Sequence, residues 1–426
     1  LWIPGMPLPQ YYCDHIASGG LIEAHNAAFE RWVSWNIMAP QFGFPRLSIR
    51  QQRCSMIKCR AWSLPPSLEM AADTVGLDAR KDKRGKDLIQ LFCVPQKPTK
   101  AQPNTRVYPI ERPAEAQALY DYNKTDIRVE AELSSRVPDL PQAELDYWFI
   151  DQEINSRGVA IDLDGVEACI AVIEQAHARY NTELLVLTGG RVEKASELAK
   201  LSVWLGEQGC FMHSMDEEAV EAMLATVKQR LDEWDYSIEE TPRAESVLRA
   251  LEIRALVGSA SVKKVYAMRN QATRAGRLHD LFTGHGARTG RPTGNGPQPT
   301  NLPNSGPEVC KCRGCGHWFP DVAVCPYCFT LRSPDDTATD WNADAAANAL
   351  QDIKSRDLDF VELRWGSAMG VMSGVLRSLF VAGPGMDLIC SDYSAIEAVV
   401  NAALSGEKWR MDVFRSHGKI YEASAA

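Results

Sequence analysis

The segment Met386-Asp387-Leu388-Ile389-Cys390-Ser391-Asp392-Tyr393-Ser394 changes from mostly apolar to polar residues as it approaches Asp392. This pattern is typical of a buried strand that delivers a carboxylate at its end. Apolar residues then recur at the spacing of one helix face, at Ile396, Val399, Val400, Ala403 and Leu404. We therefore predict a strand followed by an amphipathic helix between Leu388 and Leu404.

Two interpretations of this segment stay open on pattern alone. A carboxylate at a strand end suits Mg²⁺, which prefers oxygen ligands and keeps positions open for phosphate. Asp392 is also explained as a simple turn residue. Glu397 follows Ser394 at the spacing of a helix capping box, so Glu397 is either a cap or part of a ligand site.

The residues around Asp392 resemble a known family. Asp392-Tyr393-Ser394-Ala395-Ile396-Glu397-Ala398 resembles the first palm motif of family A DNA polymerases of the bacteriophage and prophage type, and the likeness continues to Tyr421. Leu376-Arg377-Ser378-Leu379-Phe380 resembles the stretch before the catalytic strand. Gly286-Ala287-Arg288-Thr289-Gly290-Arg291, followed by Asn301-Leu302-Pro303, resembles the primer-contacting motif.

The resemblance implies specific roles in template-directed nucleotidyl transfer. The Asp392 position binds two Mg²⁺ ions with help from the neighbouring backbone at Tyr393, and the Glu397 position packs against the incoming sugar to exclude ribonucleotides. One ion activates the primer 3′-hydroxyl and the other neutralises the leaving pyrophosphate. Arg291 resembles the residue that reaches the minor groove at the primer terminus. Thr300 stands where the family usually has Gln.

A locally basic region precedes these motifs in a chain whose net charge is -9. Residues 261–291 hold one acid, Asp280, and seven bases: Lys263, Lys264, Arg269, Arg274, Arg277, Arg288 and Arg291. The excess predicts phosphate contacts, although a solvated helix face has the same composition. The predicted DNA-binding residues are Lys263, Lys264, Arg288, Arg291 and Asn301. Glycine and proline at 280–306 predict a loop or linker without regular elements.

The sequence pattern in the first part of the chain predicts alternating strands and helices. Leu21-Ile22-Glu23-Ala24-His25 is typical of a strand that enters a helix near Asn26, whose side chain suits an N-cap. A helix is predicted from Pro113 to Arg136, with Tyr122 and Asp126 one turn apart on its apolar face. A carboxylate on such a face needs a partner or a metal.

Two segments here resemble motifs of proofreading 3′-5′ exonucleases. Asn26-Ala27-Ala28-Phe29-Glu30 resembles the second motif, with Glu30 in place of the usual Asp, and Tyr122 with Asp126 resembles the third. The resemblance implies an RNase H-like fold. The first motif, Asp-x-Glu, has no match before Leu21, so we expect it upstream of Leu1, as we expect the polymerase fingers beyond Ala426.

Five of the twelve cysteines lie between Cys310 and Cys328. Two Cys-x-x-Cys turns, Cys312 with Cys315 and Cys325 with Cys328, are separated by nine residues, the spacing of a small zinc ribbon. Four thiolates close the coordination sphere of Zn²⁺, so this zinc would be structural; the alternative is four unrelated reduced thiols. Cys310 and His317 are not assigned as ligands. The seven scattered cysteines favour a reducing compartment.

Length and composition predict several globular domains, since the 426 residues are 45% hydrophobic and 24% charged. We predict a multidomain α/β and α+β protein. Its parts are an RNase H-like 3′-5′ exonuclease domain at 1–137, a helix-rich thumb and start of the palm at 138–306, a zinc ribbon insertion at 307–332 and a palm segment at 333–426.

The predicted partners are primer–template DNA and deoxynucleoside triphosphates, with catalytic Mg²⁺ and structural Zn²⁺. No apolar run is long enough to span a bilayer, so no membrane role is expected. The expected location is the cytoplasm, that of the bacterial host if a phage encodes the protein. Two alternatives are a noncatalytic zinc-containing DNA-binding fragment and a nuclease whose polymerase half has decayed.

Overall fold

The structure is a computed structural model that describes residues 1–77, 84–98, 104–233, 241–303, 305–332, 341–389 and 395–425. The described residues are mostly helical and contain four two-stranded sheets. The chain separates by its internal contacts into two compact units, Leu1–Phe380 and Val381–Ala426. Among the described helices, none combines the length and apolarity that crossing a bilayer requires.

The N-terminal part packs short helices around one parallel strand pair. Its helices are α1 (Gln10–Ala17), α2 (Ala27–Val33), α3 (Ala39–Phe42), α4 (Ser55–Ala61), α5 (Leu68–Thr74), α6 (Gly85–Cys93) and α7 (Pro113–Arg136), and its strands are β1 (Ile22–Ala24) and β2 (Gln52–Cys54). Ile22 pairs with Gln52 and Ala24 with Cys54. A parallel pair needs a crossover, which α2, a π-helix at Ser34–Met38 and α3 supply. The predicted strand at Leu21–His25 and the predicted α7 are confirmed.

A helical core fills the middle of the chain. It contains α8 (Gln142–Arg157), α9 (Leu163–Leu187), α10 (Leu198–Glu207), α11 (Glu217–Asp232), α12 (Thr241–Gly258) and α13 (Ala260–Gln271), with the strand pair β3 (Val159–Ala160) and β4 (Arg277–Leu278). Asp162 caps α9, since the Gly165 amide donates to Asp162 Oδ1 at 2.9 Å. Fully buried Val166, Ile173 and Leu184 place α9 at the centre of the largest core cluster.

The region after α13 is more regular than its glycine and proline content predicts. Strands β5 (Phe282–Thr283) and β6 (Thr293–Gly294) form an antiparallel hairpin, and a 3₁₀ turn covers Pro299–Asn301. The prediction of no regular element at 280–306 was therefore wrong, because hairpin pairing stabilises very short strands between the glycines. Strands β7 (Val309–Lys311) and β8 (Trp318–Pro320) and helices α14 (Ala343–Ile353), α15 (Leu358–Trp365) and α16 (Ala368–Val375) complete this unit.

The C-terminal unit contains α17 (Ile396–Ser405), α18 (Lys408–Ser416) and α19 (Ile420–Ala425). The predicted helix after Asp392 is confirmed. The predicted buried strand is wrong for its described half, since Met386, Leu388 and Ile389 are unpaired in any sheet and exposed by 74%, 50% and 93%. A strand needs a neighbour for its backbone hydrogen bonds, and none of the described strands lies beside this segment.

Candidate functional site

Asn26 links strand β1 to helix α2. It occupies the N-cap position but has a left-handed backbone with φ 70°, and its side chain makes no capping hydrogen bond. The predicted capping role is therefore wrong. The left-handed turn directs the chain from β1 into α2, and Asn adopts this conformation more readily than most residues. Asn26 keeps an exposed side chain at the edge of a cleft.

Three glutamates influence one another's charge: Glu23 of β1, Glu30 of α2 and Glu130 of α7. Crowding by neighbouring atoms raises the pKa of Glu30, and the charge of Glu130 adds to this effect, although Glu30 keeps solvent-exposed surface. Burial likewise raises the pKa of Glu130, with a further contribution from Glu23. Like charges held this close favour proton or cation uptake. The predicted site residue Glu30 is thus influenced by Glu130, an acid outside the predicted motif.

Lys58 on α4 neutralises part of this acidic group. Its side chain is only 6% exposed, and its ammonium lies 3.5 Å from Glu23 Oε1 and 2.8 Å from Asp139 Oδ1. Lys58 also donates to Ser134 Oγ at 2.8 Å, and that hydroxyl donates to Glu23 Oε2 at 2.7 Å. A buried ammonium with several oxygen partners holds β1, α4 and α7 together.

Tyr122 and Asp126 lie on the inward half of α7, as their spacing predicted. Tyr122 is buried and Asp126 is half-buried. Gly85 of α6 faces the Tyr122 ring so closely that a Cβ there would stand 2.2 Å from it. Asp126 precedes Glu130 by one turn on the same helix. Within the described ranges, the carboxylates of this region do not bring three ligand atoms to within 4.8 Å of one another.

A cleft of about 320 Å³ lies between α2, α8 and the β5–β6 hairpin. Asn26, Asp151 and Asp280 contribute to its lining. Burial raises the pKa of Asp151 to about 6, against a hydrogen bond from Gln152 and the charge of Arg31. Arg60 lines the cleft as well, so charges of both signs face it.

The predicted DNA-binding residues Lys264 and Asn301 meet in the structure. The Lys264 ammonium donates to the Asn301 carbonyl oxygen. Arg377 supports the same segment, since its guanidinium donates to the carbonyls of Leu302 at 2.8 Å and Pro303 at 3.2 Å. Two of the three segments that resemble polymerase motifs, 286–303 and 376–380, are thus joined by direct hydrogen bonds. Arg377 lies in the segment 376–380, whose resemblance to a polymerase motif assigns this residue no role.

The remaining basic side chains divide into exposed and structural ones. Lys263, Arg288 and Arg291 are exposed, with Arg288 and Arg291 in the connection between β5 and β6. Arg277 is different, because it donates to the carbonyls of Arg157 at 2.8 Å and Gly158 at 2.7 Å. The positive surface is therefore smaller than the sequence count of basic residues suggests.

The four predicted cysteine ligands converge. Their sulfur atoms all lie within 4.8 Å of one another, with 3.5 Å between Cys312 and Cys328 and 3.7 Å between Cys315 and Cys325. Tetrahedral Zn²⁺ with bonds of about 2.3 Å places its sulfurs about 3.8 Å apart, whereas a disulfide requires about 2.05 Å. The spacing fits a metal and not a disulfide. Hydrogen bonds from Thr330 lower the pKa of the Cys328 thiol, whereas burial raises the pKa of the Cys325 thiol.

Asp392 and Tyr393 lie outside the described residues. Glu397 is described and exposed in the first turn of α17. The residue at the N-cap of α17 is Ala395, with φ 50° and no side-chain cap. Glu397 is then the second residue of the helix, not the third as the predicted capping box requires. Ser394, the other residue of that box, lies outside the described residues.

Comparison with known proteins gives one informative similarity. No family model matches the chain. A DNA polymerase from Bacillus phage SP02 is 33% identical over 427 aligned positions, which cover 99% of this chain. The chain spans 57% of the length of that relative. Nearly all of this chain is therefore similar to part of a protein named DNA polymerase.

Proposed function

We propose that this chain is part of a phage-type family A DNA polymerase that extends a primer on a DNA template. The observation that carries the proposal is the 33% identity across 99% of the chain to a protein named DNA polymerase. The order of the three segments that resemble polymerase motifs supports it, because 286–303, 376–380 and 392–398 follow one another as in that family. Deoxynucleoside triphosphates and primer–template DNA are the proposed substrates.

Residues 138–306 and 333–426 form the proposed thumb and palm. Asp392, with the backbone at Tyr393, would hold Mg²⁺, which when bound would assist deprotonation of the primer hydroxyl and stabilise pyrophosphate. Glu397 would contact the sugar of the incoming nucleotide. Its exposure leaves it available for this role.

Residues 1–137 form the proposed RNase H-like exonuclease domain, in which Asn26, Glu30, Tyr122 and Asp126 are the site residues. The proximity of Glu30 to α7 supports this assignment, because the raised pKa of Glu30 depends in part on Glu130, one turn beyond Asp126. The contact between Tyr122 and Gly85 would hold this part of α7 in position. Glu130 is a further candidate ligand.

The proposed DNA surface consists of Lys263, Lys264, Arg288, Arg291 and Asn301. Lys264 orients the Asn301 backbone, and the exposed guanidinium groups of Arg288 and Arg291 are free to reach phosphate or the minor groove. Hydrogen bonds from Arg377 fix the Leu302–Pro303 backbone beside them. Preordered backbone lowers the entropy lost when DNA binds.

The 426-residue chain is expected to bind primer–template DNA in a salt-sensitive way, and Arg288→Ala with Arg291→Ala should weaken this binding. If both residues contact the backbone, the slope of log affinity against log salt falls by about two. Fluorescence anisotropy of labelled duplex at several salt concentrations measures this slope. The matched control is Lys194→Ala with Lys200→Ala, which removes two exposed positive charges from the segment around α10. Equal slopes for both double variants would contradict the assigned surface.

We propose that Cys312, Cys315, Cys325 and Cys328 bind one structural Zn²⁺ in the segment 307–332. The sulfur spacing supports this assignment, as does the hydrophobic packing of Phe319 and Tyr327 around the cysteines. Four protein ligands leave no open position, so a metal here would stabilise the fold and not activate water.

Metal analysis of the reduced protein is expected to find about one zinc per chain. Changing Cys312 and Cys325 together to Ser should remove this zinc and unfold the ribbon locally, without abolishing DNA binding through other residues. Changing Cys13 and Cys93 to Ser, two cysteines outside the cluster, should leave the zinc content unchanged. Purified protein that contains no zinc when prepared without chelator would end the assignment.

Two other functions use the same residues. A noncatalytic zinc-containing DNA-binding protein would need only the ribbon and the basic surface, and a nuclease with a decayed polymerase half would need only the acidic group near Glu30. The sequence of the surrounding gene distinguishes them, because a polymerase requires the fingers helix and a second palm carboxylate. A phage origin would place the protein in the cytoplasm of a bacterial host.

A further inference from the structure

One face of α8 follows the first strand of the β5–β6 hairpin. Near the end of α8, the side chain of the buried Asn155 accepts from the Phe282 amide at 3.0 Å and donates to the Phe282 carbonyl at 2.9 Å. Two turns earlier lies Tyr147, whose ring would stand 3.2 Å from a Cβ at Gly284. Residues at this helical spacing share one face of α8. That face therefore supports β5 and the residue that follows it.

His285 continues this row of contacts. Its Nε2 donates to Glu144 Oε2 of α8 at 2.8 Å, and its ring meets the Tyr147 ring edge-on with the centroids 6.4 Å apart. The His285 side chain is only 17% exposed, and its backbone is left-handed with φ 48°. A residue other than glycine keeps such a backbone only where its surroundings stabilise it. The contact with Glu144 thus stabilises the conformation from which the connecting loop starts.

The loop beyond His285 is closed by its own hydrogen bonds. The Ala287 amide donates to the Arg291 carbonyl at 3.0 Å, and the Gly290 amide donates to the Ala287 carbonyl at 3.0 Å. Arg288 and Arg291 are both exposed on this closed loop. The two arginines proposed to contact DNA therefore share one ordered turn, and the first residues of that turn are held on α8.

We propose that Glu144 is a positioning residue for DNA binding: through His285 it holds the loop 284–291 in the conformation that lets Arg288 and Arg291 engage DNA together. This inference rests on the proposed DNA surface. Side chains on an ordered loop lose less conformational entropy on binding than side chains on a free one. A negative charge by itself repels DNA phosphate, so any contribution of Glu144 to DNA affinity must come through the loop that it holds.

A double-mutant cycle on the 426-residue chain tests the inference, with the affinity for primer–template DNA measured by fluorescence anisotropy. Glu144→Ala is expected to weaken binding by about 5- to 10-fold, because both arginines lose the ordered loop beneath them. In a chain that already carries Arg288→Ala and Arg291→Ala, the same change should alter the affinity by less than about twofold. Glu144→Gln keeps an oxygen that accepts from His285, so it should bind DNA at least as tightly as the parent protein.

Another exposed acid of α8 provides the matched control. Asp146 lies 3.7 Å from Arg50, and Asp146→Ala should not weaken DNA binding. If Glu144→Ala does not fold, as judged by thermal unfolding, His285→Gly takes its place in the cycle with the same expected loss. Glycine suits the left-handed backbone at this position but removes the contact with Glu144.

The possible results separate this inference from the proposed DNA surface. A parent protein that does not bind DNA, or whose binding is unchanged by Arg288→Ala with Arg291→Ala, would refute the surface and the inference together. Three results would refute the positioning role alone while the arginines matter: unchanged binding by Glu144→Ala, an equal loss from this change when the arginines are absent, or the same loss in Glu144→Gln.

Discussion

Replacing Asp392 by Ala, in a chain extended through the fingers and the second palm carboxylate, is expected to reduce primer extension by several orders of magnitude. Primer–template affinity should stay nearly unchanged. The physical reason is that the proposed carboxylate holds metal charge where negative charge develops in the transition state, whereas DNA affinity comes from phosphate contacts elsewhere. Single-turnover extension of a labelled primer measures the rate, and anisotropy measures the affinity.

Two variants of nearby carboxylates make this result specific. Asp412→Ala removes an exposed acid of α18 that pairs with Arg415, so the extension rate should not change. Glu397→Ala should retain some synthesis but incorporate ribonucleotides more readily, since Glu397 is proposed to contact only the sugar. This change should cost little helix stability, since Glu397 is exposed in the first turn of α17. Near-parental synthesis by the Asp392→Ala protein would contradict the assignment of the segment around Asp392 to the catalytic palm.

Elements with a strong local signal were predictable from the sequence. The bounds of α7 follow from Pro113 at its first position and from the Val137-Pro138 sequence after Arg136. The start of α9 follows from Asp162, whose side chain caps the helix. In both helices one or two residues determine where the helix begins, so no knowledge of distant contacts is needed.

Features that depend on distant contacts could not be predicted in this way. The segment Met386–Ile389 has the composition of a strand, but a strand also requires a pairing neighbour that composition does not reveal. At α17 the pattern placed the cap at Ser394, whereas the structure starts the helix one residue later by turning at Ala395. Local spacing cannot tell which of two adjacent residues takes the turn.

The same distinction applies to the candidate sites. The cysteine cluster was predictable because each Cys-x-x-Cys turn is a local ligand pair with a characteristic spacing. Lys58 had no such signal, since it acts through contacts with residues on other elements. Glu130 could have been found from its spacing of one turn from Asp126.

The second large effect is expected in the N-terminal domain. In the extended chain, Asp126→Ala should lower the rate of 3′-5′ digestion of single-stranded DNA by several orders of magnitude. The rate of synthesis should stay unchanged. The proposed reason is that Asp126 helps to hold a metal at the scissile phosphate, whereas the polymerase residues lie in other segments. Digestion of an end-labelled oligonucleotide without nucleotides measures this activity. The 426-residue chain itself should digest DNA negligibly, because the resemblance assigns two metal-binding carboxylates to an Asp-x-Glu motif that has no match before Leu21.

A neighbouring acid on the same helix provides the control for Asp126. Asp121 is exposed and pairs with Lys124 at 3.0 Å, so Asp121→Ala removes a carboxylate from α7 without touching the inward face. It should leave digestion unchanged. Glu130→Ala should reduce digestion only if Glu130 supports the site. Glu30→Asp restores the residue that is usual in the second exonuclease motif and should increase digestion. Strong digestion by the 426-residue chain that Asp126→Ala abolishes would show that these residues assemble a metal site without a further motif. Digestion in the extended chain that persists after Asp126→Ala would instead exclude Asp126 from the exonuclease site.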